Sequence, residues 1–475
     1  MQLLTEIPYR RDSARLFAPI AARPWGVFLD SGRPFCETGR YDILTADPYM
    51  TLVTRGTVTE ISTRAGVALS PEDPFALLRR ALGERPKPLA QPPRATPGES
   101  PAAPADPPFR GGAAGWFGYD LGRRIERLPV LAEDQEQIPD MAVGLYDWAL
   151  VVDHTERRSW LVSAGRDART REHWADLVMC FSKPGSRPAA QFHITGPVRS
   201  NMTQAQYKAA FERVQAYILD GDCYQVNLAQ RFVAPAAGNA WSAYRQLRQL
   251  NPAPFSAYLS TPFAKVMSSS PERFLQLRNG SVETRPIKGT RPRGSNPEAD
   301  AMLARALSQS PKDRAENLMI LDLMRNDLGR VCDIGSVRVP RLFAVERFAN
   351  IHHLVSTVTG RLAAGEDAAS LLRACFPGGS ITGAPKIRAM EIIEALEPHR
   401  RGVYCGAIGY LGFDGAMDTN IAIRTLVYGA GTVRLWAGGG IVHDSDVEQE
   451  YQETFDKAAP LLRLLQGERL ARVGP

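Results

Sequence analysis

Short strand-like runs joined by turn residues constrain this chain more than any other feature of its sequence. The runs FLQLR and SVETRPI flank Asn279-Gly280, a dipeptide that strongly favours a two-residue hairpin turn. A second turn signal of this kind stands at Asp414-Gly415. Strands joined by hairpins pair antiparallel, whereas a doubly wound parallel sheet needs a helix between successive strands. The sequence therefore predicts an antiparallel sheet system covered by helices.

Four segments have the periodicity and end signals of amphipathic helices. The first begins at a capping box formed by Thr203 and Gln206, and Gly221 is its stop signal. Its apolar face carries Tyr207, Phe211, Val214 and Ile218. The other three helices are predicted at 311–325, 384–397 and 447–466. A proline-dense stretch at 84–108 follows a β-rich first part, and its lack of backbone donors predicts an extended linker.

Composition and charge exclude several classes of protein. Of the 475 residues, 44% are apolar and 23% are charged, which is typical of a globular protein with a substantial core. The net charge of +6 arises from mixed basic and acidic residues, and no basic stripe indicates nucleic-acid binding. No window has the roughly 20 apolar residues of a membrane-spanning helix. The glycine runs match neither a dinucleotide fingerprint nor a Walker A loop.

Cysteine usage and the N-terminal segment predict a cytoplasmic protein. The six cysteines include no C-x-x-C pair and no neighbouring histidines at zinc-ligand spacing, as expected in a reducing compartment. The first residues, MQLLTEIPYRRDSARLF, lack the apolar run and the cleavage site of a secretory signal. We therefore expect a free cytoplasmic protein that binds neither membrane nor nucleic acid.

Two acidic pairs are candidate metal ligands. Glu450 and Glu453 are three residues apart on one predicted helix, with Lys457 on the same face one turn later. Asp313 and Glu316 repeat the spacing on another helix. Mg²⁺ takes oxygen ligands from a few carboxylates, so the two pairs could bind one ion if the helices meet across a cleft. A solvated, salt-bridged surface is the alternative that spacing alone does not exclude.

Glu272 and Lys288 are candidates for proton transfer and nucleophilic chemistry. Antiparallel pairing about Asn279-Gly280 brings Glu272 opposite Ile287, with Lys288 beside them. The proline, isoleucine and glycine around Lys288 favour its partial burial, which would lower its pKa and provide a neutral amine. A nearby carboxyl group could then deliver or remove the proton of a leaving or attacking group. A solvated surface lysine is the alternative.

Four further polar residues are candidates for an anion site. The segment PGGSITGAPK leads into a helix, whose first-turn N–H groups could bind an anion together with Ser380 and Thr382. An ordinary capped helix start is the alternative. His353 by itself is typical of a core or surface histidine, and Arg424 could face solvent or line a cleft. A cleft that combines these groups with a metal ion would suit a small dianionic acid.

Seven segments together resemble the chorismate-binding enzymes in order and spacing. They are SSSPERF, RPIKGTRPRG, KDRAENLMILDLMRNDLGRV, HHLVST, FPGGSITGAPKIRAMEIIEALEP, GAIGYLGFDGAMDTNIAIRTLV and AGGGIVHDSDVEQEYQETFDKA. The resemblance covers about residues 195–466, and FLDSG, GGAAGWFGYDLGRR and IPDMAVGLYDWALVVDH extend it over nearly the whole chain. These earlier segments look most like the aminodeoxychorismate synthase branch of the family.

The resemblance implies an α+β fold in which two antiparallel sheets pack as a sandwich, with helices outside and the active site in a cleft. A β-rich subdomain at 1–180, containing the linker at 84–108, is expected to intertwine with a chorismate-binding catalytic domain at 195–470. Both would then form one unit, similar to that of component I of anthranilate synthase.

The site residues that the resemblance implies fall into four groups. Catalysis is assigned to Lys288 and Glu272. The implied cofactor, Mg²⁺, would be bound by Glu316, Glu450 and Glu453, with Asp313 adjacent or bridging through water. The chorismate pocket would comprise Gly289, Thr290, His353, Ser380, Thr382, Tyr404, Arg424, Gly438, Gly439, Gly440 and Lys457. An aromatic amino acid, held by some family members, would lie near Ser31, Tyr41, Pro254 and Phe255.

Two positions indicate the branch of the family. Lys288 stands where anthranilate synthases typically carry alanine, and in aminodeoxychorismate synthases this lysine is thought to add at ring C2 before ammonia enters at C4. Gln225 stands where isochorismate and salicylate synthases use a lysine to activate water. The resemblance therefore implies Mg²⁺-dependent amination of chorismate at C4, for 4-aminobenzoate and folate biosynthesis. The alternatives are component I of an anthranilate synthase and a non-catalytic subunit that binds chorismate or a partner.

The source of ammonia is expected to be another protein. The sequence to Pro475 leaves no room for a glutaminase domain, so the resemblance implies a separate glutamine amidotransferase subunit, component II, with free ammonia as a possible substitute. A downstream aminodeoxychorismate lyase would then release pyruvate to give 4-aminobenzoate.

Overall fold

A computed structural model describes residues 2–83, 107–185, 190–347 and 351–467. Most of the predicted linker at 84–108 lies outside these ranges. The strands and helices are numbered along the chain.

The first antiparallel sheet contains strands from both halves of the chain. Its strands are β1 (Leu3–Ile7), β2 (Gly26–Asp30), β3 (Tyr41–Thr45), β9 (Trp148–Asp153), β10 (Arg158–Ser163), β11 (His193–Ile194), β12 (Arg199–Ser200), β13 (Gln225–Ala237), β14 (Phe255–Ser260), β15 (Lys265–Ser270), β21 (Gly383–Ala384), β24 (Thr425–Gly429) and β25 (Thr432–Ile441). They run in the order β1-β10-β9-β3-β2-β14-β15-β24-β25-β13-β11, and β12 and β21 also pair with β13. The pairing of β2 with β14 places Leu29 opposite Ala257 and so joins the two halves.

The second antiparallel sheet also combines early and late strands. Its strands are β4 (Met50–Arg55), β5 (Val58–Thr63), β6 (Gly66–Ser70), β7 (Gly112–Phe117), β8 (Met141–Tyr146), β16 (Arg273–Arg278), β17 (Ser281–Thr284), β18 (Ile287–Pro292), β19 (Arg338–Arg347), β20 (Ile351–Arg361), β22 (Ala407–Gly412) and β23 (Met417–Ile421). Their order is β18-β20-β17-β16-β23-β22-β7-β8-β4-β5-β6, with β19 also paired to β20. The predicted hairpin is present, since Arg278 pairs with Ser281 across Asn279 and Gly280.

The helices begin and end largely where local signals predict. They are α1 (Ala14–Phe17), α2 (Pro74–Leu82), α3 (Ala168–Glu172), α4 (Trp174–Ser182), α5 (Gln204–Leu219), α6 (Ala240–Leu250), α7 (Pro297–Gln309), α8 (Pro311–Gly329), α9 (Ala368–Cys375), α10 (Lys386–Leu396) and α11 (Val447–Gln466). Two 3₁₀ turns span Tyr119–Arg124 and Gly379–Ile381. The capping box of Thr203 and Gln206 precedes α5 as predicted, whereas α8 continues to Gly329 instead of ending at 325.

One apolar core lies between the two sheets, and another lies between the first sheet and its outer helices. The inner core includes Val151 of the first sheet and Trp116 of the second. The outer core includes Phe28 of β2, Trp241 of α6 and Leu461 of α11. The predicted α+β fold of two antiparallel sheets with helices outside is therefore confirmed. Within the described ranges, every helix is too short or too polar to span a membrane.

Candidate active site

A buried carboxyl group lies where the chain passes from one sheet to the other. Glu272, between β15 and β16, is only 5% exposed. Ser380 donates a hydrogen bond from Oγ to Glu272 Oε1 at 2.7 Å, and the backbone N–H of Ile287 donates to the same carboxylate. Burial raises the pKa of Glu272 to about 7 in spite of these donors and of the nearby charge on Lys288. Such a group can give or take a proton near neutral pH.

Lys288 lies on β18 within the electrostatic reach of this carboxyl group. Burial lowers the pKa of its ammonium group, and the carboxylates of Glu316 and Glu272 only partly oppose that effect. The positive charge of Lys457 lowers the pKa further. The side chain is half-buried, so solvent still reaches part of the residue. An amine in this setting loses its proton more easily than a free lysine, as a nucleophile requires.

Glu272 and the strand of Lys288 meet by a different route from the predicted one. The hairpin ladder extends only to the pair of Gln276 and Glu283, and β18 pairs with β20 instead. Pro286 lies between β17 and β18, and because proline has no backbone N–H it cannot continue a ladder. The side chain of Glu272 reaches the N–H of Ile287 instead, so a side-chain bond replaces the expected backbone pairing.

Charged side chains of α11 lie close to the glycine segment of β25, Gly438–Gly440. Glu450 is buried, whereas Glu453 is exposed and forms an ion pair with Lys457 at 2.5 Å. Lys457 Nζ also donates to the carbonyl oxygen of Gly438 at 2.9 Å. A Cβ atom at Gly439 would lie 2.7 Å from Glu450 Oε2. Any larger residue at position 439 would therefore displace the Glu450 carboxylate.

The glutamates of α8 and α11 influence one another across the site. Burial raises the pKa of Glu316 and of Glu450, and the negative charge of Glu453 adds to both shifts. Burial acts to raise the pKa of Glu453, but the charge and hydrogen bond of Lys457, together with the charges of Lys288 and Lys312, lower it overall. Over the described ranges, no three His, Cys, Asp or Glu side chains lie close enough to share a metal ion.

Asp313 makes different contacts from the three glutamates. Its carboxylate forms an ion pair with Arg291 at 2.8 Å, and a Cβ atom at Gly289 would lie 2.9 Å from its Oδ1. Gly289 has φ +83°, a conformation that glycine adopts without strain. Asp313 therefore connects α8 to β18 in this arrangement.

Two of the predicted pocket residues are joined by a hydrogen bond. Thr290 Oγ1 and His353 Nδ1 are 2.9 Å apart, on the paired strands β18 and β20. Burial lowers the pKa of His353 to about 4, and the positive charge of Arg424 contributes to the decrease. The imidazole ring is therefore neutral at neutral pH.

The predicted placement of Ser380 and Thr382 at the start of a helix is wrong. Ser380 lies in a 3₁₀ turn, where its hydroxyl bonds to Glu272, and α10 begins only at Lys386. Thr382 donates its hydroxyl hydrogen to the carbonyl oxygen of Gly378 at 3.0 Å. Gly383–Ala384 pair with β13, and this pairing keeps the preceding turn out of the helix.

The two residues predicted to receive a substrate carboxylate are firmly held. The ring of Tyr404 stacks on that of Trp436, with centroids 6.0 Å apart and an interplanar angle of 7°. Arg424 lies between β23 and β24 with φ +52°, and its Nη1 donates to the carbonyl oxygen of Lys457. Burial lowers the pKa of Arg424, although its guanidinium remains charged at any physiological pH.

The glycine segment lies beside Gln225 on the neighbouring strand β13. A Cβ atom at Gly440 would lie 2.9 to 3.1 Å from the three terminal atoms of the Gln225 side chain. A Cβ atom at Gly438 would lie 2.5 Å from the carbonyl oxygen of Leu228. The three glycines thus let β25 approach both β13 and α11 closely.

The sequence motifs did not predict three of the residues that lie at the site. Lys312 acts electrostatically on Glu316, Glu450 and Glu453 from the start of α8. Ser445 donates to Glu450 Oε1 at 2.7 Å, and Trp436 supports Tyr404. Lys312 and Ser445 each lie within five residues of a predicted ligand, which is the only signal that the sequence offers for them.

A cavity of about 410 Å³ is lined by the sequence neighbours of the two catalytic candidates, Pro271, Arg273 and Ile287. Glu272 and Lys288 themselves are not among its lining residues. The cavity lining includes all four residues predicted for an aromatic amino-acid pocket, Ser31, Tyr41, Pro254 and Phe255.

Comparison with known proteins finds relatives that match this chain over most or all of its length. The chain is 50% identical to aminodeoxychorismate synthase component 1 of Klebsiella aerogenes over 467 residues, which cover 98% of this chain and 99% of the relative. It is 43% identical to anthranilate synthase component 1 of Thermus thermophilus over 363 residues, or 76% of this chain and 78% of the relative.

Similar folds are also found among solved structures. The crystal structure of anthranilate synthase component I from Streptococcus pneumoniae matches with a TM-score of 0.76 at 31% sequence identity, covering 89% of this chain and 92% of that one. Residues 44–463 match the family described as chorismate binding enzyme. The chain therefore belongs to the chorismate-binding enzymes.

Proposed function

We propose that this chain aminates chorismate at C4, giving 4-amino-4-deoxychorismate for 4-aminobenzoate and folate biosynthesis. The observation that carries the proposal is the placement of Lys288, with a lowered pKa, beside the buried carboxyl group of Glu272. The resemblance to the family associates lysine at this position with amination at C4 and alanine with anthranilate formation. Full-length similarity to an aminodeoxychorismate synthase component 1 supports the same branch.

The first step exchanges the C4 hydroxyl group for a bond to the enzyme. The neutral amine of Lys288 forms a bond to ring C2, the ring double bonds shift, and the C4–O bond breaks. Glu272, which is partly protonated near neutral pH because its pKa is about 7, gives its proton in this form to the departing oxygen so that water leaves. The adduct then contains a new C2–N bond and a diene shifted within the ring.

The second step delivers nitrogen to C4 and regenerates the lysine. Ammonia forms a bond to C4, the double bonds shift back, and the electron pair of the C2–N bond returns to Lys288. The extra proton on the new amine leaves to a base at the site, for which ionised Glu272 is placed. Over both steps chorismate and ammonia become 4-amino-4-deoxychorismate and water, and no oxidant or reductant is needed.

Mg²⁺ fits the donor chemistry of the three glutamates. Glu316, Glu450 and Glu453 supply hard carboxylate oxygens, and their mutual repulsion is of the kind that a divalent cation relieves. The bound ion would supply positive charge for the ring carboxylate of chorismate. Lys457, which forms an ion pair with Glu453, would assist the ion in holding the ring carboxylate.

The remaining pocket residues are proposed to fix the orientation of chorismate. Arg424 and the hydroxyl group of Tyr404 would receive the enolpyruvyl carboxylate, and the backbone of Gly438–Gly440 would hold the ring carboxylate. The Thr290–His353 pair would contribute neutral hydrogen-bonding groups, consistent with the low pKa of His353. Gly289, Ser380 and Thr382 would shape the pocket and orient Glu272.

Ammonia is proposed to come from a separate glutamine amidotransferase subunit in the cytoplasm. The component 1 designation of the Klebsiella relative agrees with the existence of a second component. A lyase would act on the product downstream. The 410 Å³ cavity is proposed to hold an aromatic amino acid, with Tyr41 and Phe255 among its lining residues.

Product identification tests the proposal directly. The purified chain is incubated with chorismate, Mg²⁺ and ammonium at mildly alkaline pH, with and without an aminodeoxychorismate lyase, and products are identified by mass. We expect 4-aminobenzoate only when the lyase is present. Release of 2-aminobenzoate and pyruvate without the lyase would assign the chain to anthranilate synthesis, and binding without turnover would indicate a non-catalytic subunit.

A further inference from the structure

Arg401, which follows α10 in the chain, is a buried cation. It is 1% exposed and forms an ion pair with Glu397, to which its Nε donates at 2.9 Å and its Nη2 at 2.6 Å. The guanidinium lies over the ring of Tyr119, 4.8 Å from the centroid. Burial of a charge is unfavourable without a partner, and the carboxylate of Glu397 meets that need. The other N–H donors of the guanidinium are available to bind further groups.

Two backbone carbonyl groups accept hydrogen bonds from Arg401. Its Nη1 donates to the carbonyl oxygen of Ile381 at 2.9 Å, and its Nη2 donates to that of Asn227 at 2.7 Å. The backbone N–H of Asn227 in turn donates to the carbonyl oxygen of Thr382 at 2.8 Å. Arg401 thus connects the turn before β21 to strand β13. Lysine could not make the same set of bonds, because only the planar guanidinium offers several N–H donors in fixed directions.

The turn that Arg401 binds also carries a hydrogen bond to the proposed acid. Ser380 lies one residue before Ile381, in the 3₁₀ turn Gly379–Ile381. Its hydroxyl group donates to Glu272 Oε1 at 2.7 Å. Because the serine side chain is short, its hydroxyl group stays on Glu272 only while the backbone of the turn stays in place. The bond from Arg401 to the carbonyl group of Ile381 fixes that backbone.

We propose that Arg401 is a positioning residue for proton transfer by Glu272. The inference rests on the proposed function and deepens it. Arg401 holds the carbonyl group of Ile381, and the turn therefore keeps the Ser380 hydroxyl group on the carboxyl group that gives its proton to the departing C4 oxygen. Arg401 acts through the turn, because its donors are directed at Glu397 and at the two carbonyl groups.

A displaced turn should change the pH dependence of the reaction in a definite direction. The hydrogen bond from Ser380 acts to lower the pKa of Glu272, against the effect of burial. If the turn moves, this bond weakens and the pKa of Glu272 rises. Glu272 must be protonated in the first proposed step, so the decrease of kcat/KM at alkaline pH should move to higher pH. Loss of one hydrogen bond to a charged group corresponds to a shift of about one pH unit.

The experiment measures kcat/KM for chorismate as a function of pH, with the full chain and a constant concentration of free ammonia. Arg401→Lys keeps the charge beside Glu397 but cannot also bond to both carbonyl groups. Ser380→Ala removes the hydroxyl group directly. We expect each variant to move the alkaline limb of the profile upward by about one pH unit. The double variant should move it no further than Ser380→Ala alone, because the same bond is lost in all three proteins.

Arg248 of α6 provides a matched control. It is 3% exposed, forms a buried ion pair with Asp30, and donates from Nη2 to the carbonyl oxygen of Arg33 at 2.6 Å. Its guanidinium lies over the ring of Phe28, 5.4 Å from the centroid. Arg248→Lys therefore disturbs a buried arginine of the same kind among residues that take no part in the chorismate site. It should leave the alkaline limb unchanged.

Each other outcome contradicts the inference. An unmoved alkaline limb in either single variant does so even if that variant is slow, because a merely structural role lowers kcat/KM at every pH. An equal shift in Arg248→Lys, or a further shift in the double variant, does so as well. If Arg401→Lys does not fold, Tyr119→Leu removes the ring beside the guanidinium and is judged by the same comparisons.

Product identification on the wild-type chain precedes these comparisons. A wild-type chain that forms no C4 product contradicts the proposed function. A wild-type chain that forms this product, with an unmoved limb in Arg401→Lys, contradicts only the positioning role of Arg401.

Discussion

Burial is the main cause of the raised pKa of Glu272. This side chain accepts hydrogen bonds from Ser380 and from the N–H of Ile287, both of which favour the ionised form, yet loss of hydration raises its pKa to about 7. Lys288 is affected by burial in the opposite sense, because its charged form is the protonated one. Burial therefore favours the neutral amine and the neutral acid that the first proposed step requires.

Replacing Lys288 tests its proposed covalent role. Lys288→Ala should lower kcat/KM for chorismate by about two orders of magnitude or more, equivalent to about 3 kcal/mol of transition-state stabilisation. Lys265→Ala is the control, because burial also lowers the pKa of that half-buried lysine, on β15. Steady-state kinetics with ammonium provide the measurement. A Lys288→Ala enzyme as fast as wild type would exclude the nucleophile.

Replacing Glu272 should stabilise the fold at alkaline pH. The folded-state pKa of about 7 exceeds the usual 4.5, so stability is lost as pH rises between these values and the carboxyl group must ionise while buried. Glu272→Gln removes this cost, which by the pKa difference amounts to up to about 3 kcal/mol. Urea denaturation at pH 8 should show the gain. At pH 4 the two proteins should be equally stable, and a gain of the same size there would refute the pKa assignment.

At the scale of single elements, the sequence predicted the bounds of helix α11 but only some of the contacts that its side chains make. The sequence predicted 447–466, and the helix spans Val447–Gln466 with Asp446 as its N-cap. The three-residue spacing of Glu450 and Glu453 placed both on one face. The four-residue spacing of Glu453 and Lys457 likewise allowed their ion pair, whereas the hydrogen bond from Lys457 to the carbonyl oxygen of Gly438 depends on the approach of β25 to the helix.

Adding one methyl group to β25 tests the proposed metal site. A Cβ atom at residue 439 would lie 2.7 Å from Glu450 Oε2, and because that atom ends a flexible side chain, the carboxylate moves instead of the backbone. Gly439→Ala should therefore raise the Mg²⁺ concentration for half-maximal activity about tenfold, as for other disturbed ligand shells.

The control for Gly439→Ala is a glycine with open surroundings. Gly329→Ala at the end of α8 has no atom within 4 Å of the added Cβ, so it should leave the metal dependence unchanged. Titration of activity with Mg²⁺ gives both values, and circular dichroism checks the fold. Identical Mg²⁺ dependence of Gly439→Ala and wild type would argue against Glu450 as a ligand.

At the scale of the whole molecule, the two halves of the chain share both sheets. β2 pairs with β14, and β7 pairs with β22, so residues far apart in sequence form continuous sheets. A buried ion pair connects the halves as well, because Asp30 at the end of β2 bonds to Arg248 of α6. Tyr244 donates its hydroxyl hydrogen to Asp30 at 2.9 Å.

Breaking this ion pair should destabilise the whole molecule. Arg248→Met leaves the carboxylate of Asp30 buried without its charge partner, and the free energy of unfolding should fall by about 3 to 5 kcal/mol. The double variant Asp30→Asn with Arg248→Met removes both charges and should recover most of the loss. Urea denaturation of the three proteins provides the comparison. If both variants were equally unstable, packing by the arginine side chain would account for the effect instead.

Local interactions explain what the sequence determined by itself. The turn at Asn279-Gly280, the capping box of Thr203 and Gln206 and the bounds of α11 each depend on residues within one turn or one hairpin. The antiparallel α+β architecture follows from many such hairpins. Family motifs added the identities of the site residues, because residue type and order are properties of the chain and not of its packing.

The tertiary structure alone decided which groups meet and how burial changes their chemistry. In the folded protein Ser380 donates a hydrogen bond to Glu272 instead of lying at a helix start, and Asp313 forms an ion pair with Arg291. The tertiary structure also left the Gln225 amide without a hydrogen-bond partner among the described residues. Hydrogen bonds and pKa values depend on distances of a few ångströms and on the loss of water, and these arise only when distant strands pack together.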